Sequence, residues 1–116
     1  MKSTSSFKIH NRIWISSKNR SFLGEGRIEL LNEINKHRSI SKAAKSMKMS
    51  YRKAWNMVDS INKISEKPMV IRTIGGTGGG GSKLTTEGLK AIKLFNEIKI
   101  STNKYLESKI KTLDFS

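Results

Sequence analysis

The chain has 116 residues with 23 Lys and Arg against 9 Asp and Glu, a formal charge of +14; such an excess favours a polyanionic partner, because each cation docked on a phosphate releases condensed counterions. The length allows one domain with a single modest core, and the even scatter of lysines from Lys36 to Lys111 is also compatible with a merely basic surface. The lack of cysteine excludes disulfides and thiolate metal sites, and no apolar run approaches the roughly 20 residues of a membrane span, so a cytoplasmic protein without a membrane partner is expected.

Residues 1–6 lack an apolar signal core and read as a short disordered leader, with a single domain over 7–116. Phe7, Ile9, Ile13 and Ile15 share one parity, and Ser-Ser-Lys-Asn-Arg at 16–20 is turn chemistry. A strand, a turn and a return at Ser21–Leu23 follow from that pattern. Gly24-Glu25-Gly26 breaks it, and Ile28, Leu31 and Ile34 with Leu30 predict a helix that ends at Arg38-Ser39.

A short second helix should be N-capped by Ser41, its stripe made of Ile40, Ala43, Ala44 and Met47. Lys48-Met49 supplies the turn, and Ser50 caps a third helix over 50–64, with Met49 and Ala54 at hydrophobic-staple spacing. After Pro68, Met69–Thr73 has β-branched strand character. Six glycines stand in the seven residues 75–81, and Lys83-Leu84 restores a strand. Thr85 is placed to cap a last helix, about 85–112, with a Leu84–Leu89 staple and the stripe Leu89, Ile92, Phe95, Ile98, Leu106 and Ile110. The expected class is mainly α with small β (α+β): a winged helix-turn-helix with an N-terminal hairpin, a glycine-rich wing and a long C-terminal helix.

At about 100° per residue, Ala54, Met57, Val58 and Ile61 fall on the core side of the third helix, with Tyr51 at the margin. Arg52, Asn56, Asp59 and Lys63 lie opposite and Lys53 flanks them. Only Arg52, Lys53 and Asn56 stand in the first two turns, the part of a recognition helix that enters a groove. Arg suits guanine and Asn suits adenine, while Lys53 suits a phosphate. A plain solvated charged face is the alternative. Trp55 is assigned to packing, since indole buries much apolar area; Tyr51 can both pack its ring and reach a phosphate through its hydroxyl.

Gly76, Gly78 and Gly81 match G-x-G-x-x-G, but the strand–helix context and the acidic residue some twenty positions on are missing, and no Gly-Lys-Ser/Thr occurs. A hairpin tip whose backbone approaches phosphates, flanked by Arg72 and Lys83, accounts for the run better; a disordered linker is the other option. His10 and His37 are isolated. No catalytic, cofactor or metal site emerges, and an enzyme is not expected.

Ser39-Ile40-Ser41-Lys42-Ala43-Ala44, Met49-Ser50-Tyr51-Arg52-Lys53-Ala54-Trp55, and the run Thr73–Gly81 with Leu84-Thr85-x-x-Gly88 resemble the N-terminal domain of the ModE family of molybdate-responsive transcriptional regulators. That domain is a LysR-like winged helix-turn-helix, and the resemblance covers roughly residues 7–100. It implies a homodimer on double-stranded DNA, with the third helix in the major groove, the glycine wing (74–82) on the backbone or minor groove, and the last helix pairing subunits. It points to Ser41, Ser50, Tyr51, Arg52, Lys53 and Asn56 as DNA-facing; Ser39 and Lys42 beside them, and Arg72, Gly76, Gly78, Gly79, Gly80 and Lys83 of the wing, complete the set.

Two departures stand out. Full-length family members carry a C-terminal oxyanion-binding region, and nothing in this sequence matches a molybdate site, so oxyanion sensing by this chain itself is not expected; a separate effector-sensing protein is one option. Lys48 also stands where the family commonly has Gly; in a left-handed conformation it costs about 1 kcal/mol. The expected function is sequence-specific transcriptional regulation, against the alternative of a non-specific architectural or RNA-binding protein that would not need Arg52 and Asn56.

Overall fold

Residues 6–74 and 81–115 are described in the computed structural model. Residues 1–5 of the expected leader and the wing glycines at 75–80, including Gly76, Gly78, Gly79 and Gly80, lie outside the described residues. Strands β1 (Trp14–Ser17) and β2 (Arg20–Gly24) form an antiparallel hairpin. Its turn residues, Lys18 and Asn19, both have positive φ (50° and 63°), as the tight turns matched to strand twist require. The register slips between Ile15 and Ser16, a bulge that leaves Phe22 as the extra residue on β2.

The strand expected from Phe7 begins only at Trp14. Residues 7–13 instead lie against the far end of the last helix: Asn11 Nδ2 donates to Asn103 Oδ1 at 3.1 Å, and the Phe7 ring meets the Phe115 ring edge-on at 5.4 Å. The alternating apolar residues there find a helix surface to cover, so the pattern reports one-sided burial without a ladder.

Helix α1 (Glu25–His37) ends at Arg38, which is left-handed (φ 57°) and returns its N–H to Ile34 O at 2.7 Å. Helix α2 (Ile40–Ser46) is capped by Ser39, whose Oγ accepts from the Lys42 N–H at 3.0 Å. The cap is therefore two residues earlier than Ser41, because the extended backbone needed at that position falls on Ser39. The turn into α3 is centred on Met47-Lys48, one residue before the expected pair. The N–H of Lys48 reaches Lys45 O at 3.1 Å and that of Met49 reaches Ala44 O at 3.0 Å, with Lys48 at φ 56°. This is a Schellman closure with lysine at the position glycine usually fills. Ser50 caps α3 (Tyr51–Ile64) by accepting from the Lys53 N–H at 3.1 Å, as expected.

Strands β3 (Val70–Thr73) and β4 (Gly81–Leu84) pair antiparallel, Val70 opposite Leu84 and Thr73 opposite Gly81. Helix α4 (Thr86–Ile110) starts from the Thr85 cap, which accepts from the Gly88 N–H at 3.2 Å while its hydroxyl donates to Pro68 O at 2.7 Å. Of the expected Leu84–Leu89 staple only Leu84 is buried. Leu89 is 49% exposed, and α4 turns Gly88, Ala91 and Phe95 inward instead.

The core joins Leu30, Leu31 and Ile34 of α1, Ala43 and Ala44 of α2, Ala54, Val58 and Ile61 of α3, Val70 and Leu84 of the wing, and Phe95 of α4. The paired alanines, with no side chain beyond Cβ, let α2 seat closely in this core. At about 1.5 Å per residue, the 25 residues of α4 run well past it, and the molecule measures 65 × 29 × 22 Å.

Candidate nucleic-acid interface

The first two turns of α3 expose Arg52 and Lys53. Ser50 fixes the helix start, and Ala54, Val58 and Ile61 anchor the opposite side in the core, so Arg52, Lys53 and Asn56 are held outward. Among the described residues none of these three side chains has a hydrogen-bond or ion-pair partner, whereas Asp59 further along is engaged by Lys63 at 2.9 Å. Two free cations and an amide at a helix N-terminus form a surface ready for an anionic partner.

Hollows flank this crest on both sides, and a third lies on it among Tyr51, Arg52, Trp55 and Asn56. On the hairpin side, Ser50, Arg52, Lys53 and Asn56 share a concavity with Arg27 and Met57. Arg27 Nη1 donates to Ser21 O at 2.9 Å and Phe22 O at 3.0 Å, holding the guanidinium in place. Burial, and after it the neighbouring charge of Arg20, lowers the Arg27 pKa from its ordinary value; a nearby anion would relieve both penalties. On the wing side a groove of about 520 Å³ runs between the start of α2, the Tyr51–Trp55–Asp59 flank of α3 and β3 with Ile74.

The wing is tied to α3 by Asn62, in the last turn of the helix. Its Oδ1 accepts from the N–H groups of Met69 (2.8 Å) and Val70 (3.2 Å), and its Nδ2 donates to Val70 O at 2.9 Å. The other wing strand is tied to α1, since the Ser82 N–H donates to Arg38 O at 3.0 Å. A Cβ on Gly81 would stand 2.4 Å from that same oxygen.

The remaining expected contacts divide by position. Ser41 and Arg72 line the wing-side groove; Ser39 also lines it, but its Oγ is committed to the α2 cap. Lys42 is exposed on the first turn of α2, and Lys83 is exposed on β4 opposite Ile71. Trp55 is not the packing residue expected. It is 46% exposed beside Tyr51, which is 50% exposed, because it lies about 60° round the helix from Val58, on the wing-facing flank. Arg27 and Asn62 were missed. The latter carried a faint signal, an amide in the last helical turn before a loop whose backbone needs partners; Arg27 carried none.

Three helices with a capped tight turn between the second and third, followed by a two-stranded wing, make a winged helix-turn-helix. No protein-family model matches the chain. It is 35% identical over 85 residues to the molybdenum transport protein ModE of Azotobacter vinelandii, covering 73% of this chain and 32% of that protein. It is 41% identical over 75 residues to the DNA-binding transcriptional dual regulator ModE of Escherichia coli K12, covering 65% and 29%. It is 37% identical over 92 residues to the molybdenum-pterin-binding protein MopB of Rhodobacter capsulatus, covering 79% and 34%. Among solved structures, a point mutant of MepR from S. aureus shares the fold with a TM-score of 0.61 at 17% identity, covering 80% of this chain and 68% of that one. The chain carries a ModE-like winged-helix domain, and it spans about a third of the length of the curated relatives it matches.

Proposed function

We propose that this chain is a sequence-specific DNA-binding transcriptional regulator that acts in the cytoplasm by binding and not by catalysis. Helix α3 enters the major groove, with Arg52 on guanine and Asn56 on adenine. Lys53 and the pre-positioned Arg27 hold phosphates beside the hairpin, and the 74–82 wing reaches the backbone or minor groove. The carrying observation is the outward presentation of Arg52, Lys53 and Asn56, all unpaired among the described residues, from the first two turns of a helix whose opposite face is core.

The protein acts as a homodimer through the 85–112 helix. Leu94, Ile98 and Tyr105 are exposed (56%, 37% and 62%) and fall within about 40° of one another around α4, a seam suited to a second copy. Half-sites then lie about 34 Å apart or a multiple of it.

Gel-shift titration of Arg52→Ala tests the reading. Binding to a selected site should weaken by about 1–3 kcal/mol while binding to bulk DNA is unchanged. An equal loss on every duplex supports the architectural or RNA-binding alternative. Genomic footprinting then identifies the regulated genes.

A further inference from the structure

Trp55 and Tyr51 stand one helical turn apart on the wing-facing flank of α3, both about half exposed. Neither ring group hydrogen-bonds another described residue, so nothing else in the described fold occupies them. The groove they line is poor in free charge. Asp59 is paired with Lys63, Arg72 is the one cation of the lining, and Ile71 closes the opposite wall. A phosphate is better served on the other side of the helix, where Arg27 and Lys53 share a concavity. The exposed ring of Trp55 therefore suits an apolar group, next to the polar Arg52 and Asn56 with which it shares a hollow. In the major groove the exposed apolar group on a base edge is the thymine C5-methyl.

The geometry points to Trp55 as a specificity-determining residue that packs its indole on a thymine methyl adjacent to the bases read by Arg52 and Asn56. This inference rests on the proposed placement of α3 in the major groove. Position supports it: Trp55 precedes Asn56 directly and lies within the first two turns, at the depth of the polar readers.

The test uses a duplex enriched by the wild-type chain from a randomised pool, synthesised with thymine and again with uracil at single positions, which removes only the methyl. The wild-type protein should bind the uracil duplex about fourfold more weakly at one or more positions, the worth of one buried methyl. Trp55→Ala and the bulkier Trp55→Gln, both checked for an unchanged thermal transition, should bind the two duplexes equally. Methyl-independent binding by the wild type, or a uracil penalty that persists in both variants, overturns the inference while leaving selective binding intact. A pool in which no sequence is enriched overturns it together with the proposed function.

Discussion

Asn62 and Val70 are joined twice: the amide of Asn62 donates to the Val70 carbonyl at 2.9 Å and its oxygen accepts from the Val70 N–H at 3.2 Å. One side chain thus fixes the distance between α3 and the first wing strand. Asn62→Ala leaves the Val70 carbonyl and two N–H groups without this partner, and unfolding free energy should fall by about 1–3 kcal/mol. Urea denaturation measures the loss. Asn62→Asp keeps the acceptor but sets a charged carboxylate oxygen against the Val70 carbonyl, so it should also destabilise.

Lys48 holds the helix-turn-helix corner in a left-handed conformation at φ 56°. Lys48→Gly should raise unfolding free energy by about 0.5–1 kcal/mol, relief of left-handed strain outweighing the greater unfolded-state entropy of glycine. A lowered denaturation midpoint would show that the corner is not strained.

Gly81 and Gly88 pack against backbone. A Cβ would stand 2.4 Å from Arg38 O at the first and 2.5 Å from Met69 O at the second. Gly81→Ala and Gly88→Ala should each destabilise by about 1–3 kcal/mol, since main chain must shift to admit the methyl. Thermal melts of the two variants check this, with Gly26→Ala, where a Cβ meets nothing within 4 Å, as the tolerant control.

On α4, Leu94→Glu combined with Ile98→Glu places two charges on an exposed seam outside the core. The double variant should keep its helix content and sediment as a monomer at micromolar concentration while the wild type sediments as a dimer. Monomer in both proteins would remove the proposed pairing surface.

Replacing Arg27 or Lys53 with Ala should lower the slope of log binding constant against log salt by about 1 each, with little change in sequence preference. A shift in preference instead would make these residues base readers.

Much of this was written locally. Caps at Ser50 and Thr85, the core side of α3 and the wing strands follow from short-range patterns, because helix periodicity and capping act over a turn or two. The same patterns brought Arg52, Lys53 and Asn56 together on one exposed side. Tertiary packing decided what spacing could not express. It set residues 7–13 on α4 instead of in a strand, moved the α2 cap to Ser39 and left Leu89 in solvent. It pressed Gly81 on the Arg38 carbonyl, a close approach that no sequence pattern expresses. It also turned Trp55 from core to surface, since a residue at the edge of a helical face is buried only if a neighbouring element arrives to cover it, and here the facing wing leaves a groove. Charge, periodicity and caps therefore determined that a helix would present basic side chains to a partner. The contacts of Arg27 and Asn62, made across 5 to 8 residues of sequence and through backbone groups, decided how α1 is held to the hairpin and that helix to the wing, because backbone partners leave no mark on residue type.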